Sequence, residues 1–139
     1  MNYKLIDDGQ FINTYDAVMN SKNGRIIVSD SFNHRIQVFD ENGKFLMKFG
    51  SQGVNDGQFN GPCGVAIDQR RERIIVADSG NHRIQMFDEN TGEFVSNFGS
   101  KGSEDGQFDF PMGVQVDQTN GLISILNNCV ENLNEHVLI

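Results

Sequence analysis

The chain has 139 residues, the size of one ordinary domain, so two large domains are excluded. Apolar residues make up 37% and charged residues 22%, with 15 Gly and 11 Phe, and no apolar run approaches the ~20 residues that span a bilayer. The formal net charge of -8 opposes tight binding to polyanions unless the basic residues gather on one face. These values predict a soluble, turn-rich protein.

The charge is unevenly distributed along the chain. Residues 93–139 hold one Lys and seven carboxylates, so they carry -6, whereas residues 1–92 carry only -2. Two cysteines, Cys63 and Cys129, are too few for a disulfide framework, and the first ten residues lack the pattern of a signal peptide. We therefore expect a cytoplasmic protein with reduced thiols and no membrane association.

Two sequence blocks recur along the chain. Residues 25–42 align with residues 73–90 at an offset of 48, with fifteen identities in eighteen positions. SQGVNDGQF at 51–59 recurs as SKGSEDGQF at 100–108, and a weaker copy, DDGQF, stands at 7–11. The chain is therefore an internal repeat with a period of 48 to 49 residues.

Within one period the apolar residues form four short β-rich runs bounded by turn residues. In the second copy these runs are 64–68, 73–78, 83–88 and 93–99. RIQVF and KFLMKF alternate with the period of two typical of half-buried strands, and RIIV is apolar on both faces, as in a strand buried between two layers. No window keeps helical spacing for three turns, so helix should be nearly absent.

Four antiparallel strands per period of this length are the unit of a β-propeller blade. DENG at 40–43 and DENTG at 88–92 supply the Asn or Gly that a tight hairpin needs between the third and fourth strands. We predict an all-β fold, a partial β-propeller of about two and a half to three four-stranded blades. The predicted blades are 8–50, 56–99, and a degenerate, incomplete 105–139. We expect four phenylalanine rings to be buried between neighbouring blades and to stabilise their packing: Phe49, Phe59, Phe98 and Phe108.

The motif at the centre of each copy is specific. DSFNHRIQVFD at 30–40 and DSGNHRIQMFD at 78–88 contain the Asn-His-Arg-Ile form of the NHL repeat, and GQFNGPCGVAID at 57–68 completes one unit. The chain resembles the propellers of TRIM-NHL proteins, in which RING, B-box and coiled-coil segments precede a six-bladed NHL propeller. This resemblance implies a module that recruits a protein or RNA target while a separate RING domain carries ubiquitin-ligase activity.

The third copy departs from this pattern. It keeps FPMGVQVD and GLISIL but loses the motif from Asn127 onward. Two full blades and part of a third cannot close a ring of six, and an open arc leaves unpaired sheet surfaces. We therefore expect either a fragment or a chain that self-associates to complete the propeller.

Eight motif side chains stand at the turn between the second and third strands. They are Asp30, Asn33, His34, Arg35, Asp78, Asn81, His82 and Arg83. The structural interpretation is that Asp and Asn cap turn amides, His packs beside the next strand and Arg pairs with a carboxylate of the blade. The alternative makes His34 and His82 metal ligands, but equivalent positions on adjacent blades are too far apart for one ion, and His136 is a poor third ligand. We predict no metal and no cofactor.

An enzymatic alternative comes from resemblance alone, because the peptidyl-hydroxyglycine lyase has an NHL-like propeller with a metal in its channel. That enzyme would be secreted and disulfide-stabilised, which this sequence does not suggest. The chain shows no nucleophile motif, phosphate-cradling loop or CxxC pair, and its acidic loops lack the alternating carboxylates of an EF-hand. We predict no catalytic residue.

Five basic residues outside the motif lie in the loops between first and second strands. They are Lys22, Arg25, Arg70, Arg71 and Arg73. Equivalent loops open on the same rim, so these charges could form one phosphate-binding stripe, although the third copy has no cation at 118–121. The alternative is that they are solvated hairpin tips. We therefore predict a non-catalytic module that binds a protein partner, with RNA binding as the alternative and the metal-dependent lyase as a distant one.

Overall fold

The computed structural model describes residues 7–127, so Cys129 and His136, on which two of the predictions fall, lie outside the described part. Two four-stranded antiparallel sheets are each built in sequence order. The strands of the first sheet are β1 (Thr14–Met19), β2 (Ile26–Asp30), β3 (Arg35–Phe39) and β4 (Phe45–Phe49). Those of the second are β5 (Pro62–Asp68), β6 (Arg73–Asp78), β7 (Arg83–Asp88) and β8 (Phe94–Phe98).

A third unit follows these two sheets. The strands β9 (Ser100–Lys101) and β10 (Gln107–Phe108) form a short parallel pair, and β11 (Pro111–Val116) pairs antiparallel with β12 (Ile123–Asn127). The helical content of the described residues is two 3-10 turns, Ser31–Asn33 and Ser79–Asn81. The prediction of an all-β partial propeller with four-stranded antiparallel blades is confirmed. The remaining strands predicted for blade 3 would fall outside the described residues.

No helix in residues 7–127 is long and apolar enough to cross a membrane.

The blades pack face to face through two apolar layers. One layer lies between blades 1 and 2 and the other between blades 2 and 3. The strand β6 serves both layers, because Ile74 and Val76 belong to the first and Ile75 and Ala77 to the second. The all-apolar RIIV segment is therefore buried on both faces, which is the reason for its lack of alternation.

Phenylalanine rings close each layer near the connection between blades. Phe59 is buried and its ring lies 5.4 Å from the ring of Phe87. A Cβ at Gly50 would lie 2.5 Å from the Phe59 ring, and Gly50 has a φ of +100°. Phe108 lies in the same relation to Gly99 one blade later. Glycine is required at both positions because the ring occupies the space that a side chain would need.

The first strands of blades 2 and 3 approach each other closely at Gly64. A Cβ at Gly64 would lie 2.5 Å from the backbone oxygen of Met112 and 2.9 Å from the Cα of Gly113. The register of β5 and β6 also shifts between Pro62 and Val65. The strand β5 begins at Pro62, two residues before the predicted apolar run. This close approach sets the narrow inner wall of the arc.

We expect Gly64→Ala to lower the free energy of unfolding by about 1–3 kcal/mol, because backbone atoms must move to admit the methyl group. The methyl group of the counterpart Gly113→Ala would lie 3.1 Å from the Leu126 Cβ and meets no backbone atom as close as those beside Gly64, so this variant should cost less. Urea denaturation of both variants measures the difference. Equal losses would show that the β5–β11 approach does not govern this position.

Candidate functional site

The motif aspartate of blade 2 is the centre of a buried hydrogen-bond network. Asp78 is 0% exposed. Its Oδ1 accepts the backbone N–H of Asn60 at 2.8 Å, and its Oδ2 accepts from Asn81 Nδ2 at 3.0 Å, Arg83 Nε at 2.8 Å and Gln85 Nε2 at 3.1 Å. Four donors on one carboxylate, one of them a guanidinium, compensate the loss of its hydration.

Blade 1 repeats this arrangement around Asp30. Its Oδ1 accepts the backbone N–H of Ile12 at 2.9 Å, and its Oδ2 binds Arg35 Nε at 2.7 Å and Asn33 Nδ2 at 2.9 Å. Neither motif aspartate caps the 3-10 turn that follows it. The prediction that Asp and Asn cap turn amides is therefore wrong, because the carboxylate is occupied by the incoming connection, the arginine and the Asn side chain itself.

The motif arginine fastens the acidic glycine loop to its blade. The guanidinium of Arg83 donates to the backbone oxygens of Val54, Asn55 and Gln58 at 2.9, 2.9 and 2.8 Å. Gln85, which sequence reasoning did not single out, also donates to Gln58 at 2.6 Å. The loop carbonyls are thus bound by side chains of the same blade, and a bound cation is not needed to order them.

The motif histidines join neighbouring blades. His34 and His82 have φ values of 52° and 53°, in the left-handed region that ends each 3-10 turn. Their Nδ1 atoms accept backbone N–H groups from the next blade, Gly61 at 3.0 Å and Phe110 at 3.1 Å. An accepting Nδ1 carries no proton, so each ring holds its proton on Nε2 in this arrangement. Within residues 7–127 no three His, Cys, Asp or Glu side chains are grouped to hold a metal ion.

Two of the predicted basic residues lie between blades 1 and 2. Lys22 donates its Nζ to the backbone oxygen of Gln69 at 3.1 Å, and Arg25 donates to the backbone oxygen of Glu89 at 3.4 Å. Glu89 is 3% exposed and accepts from the side chain of Asn20 across the blade boundary. This buried carboxylate was not predicted, because its partner lies 69 residues away in the sequence.

The other three basic residues lie toward blade 3. Arg71 pairs with Asp68 at 2.8 Å and Arg73 with Asp88 at 3.2 Å. In the described part of the chain no carboxylate lies within 4.0 Å of the Arg70 guanidinium. Arg73 is the first residue of β6, and the other four cations lie on the loops at the same end of the sheets. This end is here called the lower rim. Arg71 and Arg73 pair with carboxylates, and Lys22 and Arg25 donate to backbone oxygens, so four of the five have partners within the chain.

One face of blade 1 is left uncovered by the residues that the structure describes. This open face consists of Ala17, Met19, Ile26 and Val28. Their counterparts in blade 2 are Val65, Ile67, Ile74 and Val76, all buried against blade 1. Met19 by contrast is 62% exposed. The repeat therefore places the residues of a blade-to-blade interface on a surface that has no neighbour within residues 7–127.

Cys63 lies at the start of β5 and is partly buried, and its thiol donates to the Gly61 backbone oxygen at 3.5 Å. Burial raises the pKa of the Cys63 thiol above its ordinary value; a hydrogen bond with Ser79 lowers it and the Asp78 charge raises it. A raised pKa leaves less thiolate at a given pH, and thiolate is the reactive form.

We expect the folded chain to be alkylated by iodoacetamide more slowly at neutral pH than the same chain unfolded in urea. The Cys129→Ser variant leaves Cys63 as the only thiol and isolates its rate. The rate in the folded state should still rise above pH 9, the ordinary value for this group. Equal rates in the two states at neutral pH would contradict a shielded thiol.

A family model described as a 6-bladed beta-propeller, DUF5128, matches residues 11–96. Protein brain tumor of Drosophila melanogaster, a TRIM-NHL protein, is 46% identical over 46 residues, which is 33% of this chain and 4% of that protein. The predicted resemblance to the NHL repeats of TRIM-NHL proteins is confirmed. The chain spans only a small fraction of this relative.

Solved propellers share the fold at low sequence identity. A protein of unknown function from Bacteroides caccae has a TM-score of 0.62 and 19% identity, with 82% of this chain and 38% of that chain covered. The Myceliophteria thermophila Cps50 (Swd1) beta-propeller domain has a TM-score of 0.62 and 13% identity, with 83% of this chain and 35% of that chain covered. Kuenenia stuttgartiensis hydrazine synthase has a TM-score of 0.61 and 12% identity, with 83% of this chain and 32% of that chain covered. The family match covers more than half of the sequence, and the chain belongs to the 6-bladed beta-propeller family DUF5128.

Proposed function

We propose that this chain is a non-catalytic, cytoplasmic interaction module that binds a protein partner. The observation that carries the proposal is the use of the motif side chains: Asp78 and its donors build the blade, and His82 joins it to the next. The carboxylate, guanidinium and imidazole groups of the motif, which are the types most often used in catalysis, are therefore occupied by contacts that stabilise the fold. The loops of both rims remain available for contact with a macromolecule.

The lower rim supports a protein rather than a polyanion as the partner. Two of its cations are already in ion pairs, Arg71 with Asp68 and Arg73 with Asp88. The backbone N–H groups of Asn90 and Thr91 lower the pKa of Asp88, which keeps this negative charge on the rim. Mixed charge of this kind weakens the attraction for phosphate, so the lower rim gives no preference for a polyanion.

In a TRIM-type protein such a module would recruit the substrate for ubiquitination by a RING domain elsewhere. The test is affinity capture with the tagged full chain, after chemical cross-linking and with ribonuclease present. We expect defined protein partners that persist after the ribonuclease treatment. Loss of all captured protein on that treatment would replace the proposal with RNA binding.

RNA binding in post-transcriptional regulation is the second candidate. It is favoured by Arg70, which lies on the same rim as Lys22 and has no carboxylate of the described residues within 4.0 Å of its guanidinium. The measurement is filter binding with single-stranded RNA at low salt, comparing the wild-type chain with Arg70→Glu and with Lys101→Glu on the opposite rim. Phosphate contacts require affinity that falls steeply with salt and is lost in Arg70→Glu alone. No affinity at low salt, or affinity indifferent to salt, rejects this candidate. The lyase alternative gains no supporting observation in the described residues.

Self-association through the open face is a further part of the proposal. A second copy seated there would bury Met19 and Ile26, as the chain's own blade 1 buries their counterparts Ile67 and Ile74. Sedimentation equilibrium should show a dimer that Met19→Glu weakens by at least about 10-fold, because a buried carboxylate would lack a partner. Leu46→Glu, on the exposed outer strand, is the matched control. A folded monomer at every concentration rejects self-association.

A further inference from the structure

The rim opposite the lower rim exposes two phenylalanine side chains that the fold does not require. This upper rim consists of residues 7–13, of the two 3-10 turns and of the connections 50–61 and 99–110. Phe32 is 63% exposed and Phe110 is 45% exposed. In the neighbouring repeat the counterpart of Phe32 is Gly80, and the counterpart of Phe110 is Gly61. The same turns therefore form with no side chain at all at these two positions.

The backbone conformation of Phe110 is likewise one that the fold forms with glycine in the neighbouring repeat. Its φ is 51°, in the left-handed region, where its counterpart Gly61 has a φ of 64°. Glycine adopts this conformation without steric cost, whereas a bulky side chain there is a genuine outlier. Outliers of this kind cluster at sites of ligand contact. The centroid of the ring lies 4.5 Å from that of the His82 ring, in an edge-on arrangement, and nearly half of the residue stays exposed.

Backbone and side-chain hydrogen bonds connect the segments that carry the exposed apolar side chains. The backbone N–H of Phe32 donates to the backbone oxygen of Ile12, which also carries an exposed side chain. Residues 60–61 then lie between the two turns, because Gly80 donates to the Asn60 backbone oxygen at 2.8 Å. His82 connects the second turn to Phe110. We call Ile12, Phe32 and Phe110 the aromatic ridge.

Six carboxylates lie on the same rim as the aromatic ridge. They are Asp7, Asp8, Asp56, Glu104, Asp105 and Asp109. The rim's two arginines, Arg35 and Arg83, are occupied by the buried aspartates and by loop carbonyls. Lys48 is paired with Asp8 at 2.6 Å, and Lys101 lies on the connection 99–110. The six carboxylates outnumber these two lysines, so the upper rim carries net negative charge, which repels phosphate and attracts cations.

The geometry points to the upper rim as the docking surface for a basic segment of a partner protein. Aliphatic or aromatic side chains of that segment pack on the aromatic ridge, and its Lys or Arg side chains pair with the surrounding carboxylates or lie over the exposed rings. This docking surface rests on the proposed function, a module that binds a protein partner, and lies on the rim opposite the lower rim.

The test uses three short fluorescein-labelled peptides, of alternating Lys and Leu, Lys and Ser, and Glu and Leu. Fluorescence anisotropy with the full wild-type chain should give about 10-fold tighter binding for the Lys–Leu peptide than for either other peptide. The double variant F32G/F110G, which copies the glycines of the neighbouring repeat, should weaken that binding by about 10-fold without lowering the melting temperature. Val95→Ser, an exposed outer-strand position, is the matched control.

Equal Lys–Leu binding by wild type and F32G/F110G overturns the inference, as does tighter binding of single-stranded RNA to this rim. The cross-linking capture separates this failure from that of the proposed function. A partner captured equally by wild type and F32G/F110G overturns the aromatic ridge and leaves the proposed function standing. Capture of no protein by either chain overturns both.

Discussion

Replacing Asp78 by alanine should lower the free energy of unfolding by about 3–5 kcal/mol, because one partner of a buried ion pair is removed. Arg83 would lose its carboxylate, and the side chains of Asn81 and Gln85 would each lose an acceptor. The connection that enters blade 2 would be released as well, because the Asn60 backbone N–H donates to the same side chain. Urea denaturation followed by far-UV circular dichroism measures the loss.

Two comparisons make this prediction specific. Asp78→Asn keeps an acceptor oxygen without the charge, so it should fall between wild type and alanine. Glu93→Ala removes an exposed carboxylate of the same blade and should change stability by less than about 0.5 kcal/mol. A loss for Asp78→Ala no larger than that of Glu93→Ala would contradict the architectural role of the motif.

The second large effect is expected for Phe59→Ala, which should cost about 3–5 kcal/mol. Phe59 is 0% exposed and packs between Gly50 and the ring of Phe87, at the boundary of blades 1 and 2. Gly50 has no side chain that could move into the cavity, so the space would stay empty. Thermal and urea unfolding of the variant give the size of the loss.

Phe59→Leu retains much of the buried surface and should lose less than half as much stability. Phe32→Ala truncates an exposed ring and serves as the control, with little effect expected on unfolding. If Phe32→Ala were as destabilising as Phe59→Ala, then burial at the blade boundary would not explain the role of the ring.

The strands were predictable because local pattern and burial agree. RIIV on β6 is apolar at every position, and the structure buries both of its faces between blades. DENTG predicts the hairpin after β7, where Gly92 adopts a positive φ of 73°. Repetition of whole segments supplied the blade, since four runs recur in the same order at a fixed spacing.

Other features depended on contacts that sequence spacing does not reveal. The acceptor role of His34 and His82 joins residues 27 and 28 positions apart in different blades, and the Glu89–Asn20 link spans 69 positions. The pairing of Arg73 with Asp88 depends on the register of β6 and β7. The prediction from the basic residues alone therefore overestimated the number of unpaired positive charges on the lower rim.

The sequence itself carries a signal for the upper rim. Comparison of the two copies shows Phe32 opposite Gly80, and comparison of the second and third shows Phe110 opposite Gly61. Such differences between copies mark positions where the fold tolerates the smallest residue. Only the structure shows that these two side chains are exposed on the same rim.

Hydrogen–deuterium exchange of the full chain, with and without the Lys–Leu peptide, shows which rim binds a basic segment. We expect slower exchange in residues 9–13, 31–33 and 109–110 of the upper rim, with the lower-rim loops unchanged. Protection confined to residues 20–25 and 69–73, or no protection anywhere, would contradict a propeller module that binds basic protein segments on its upper rim.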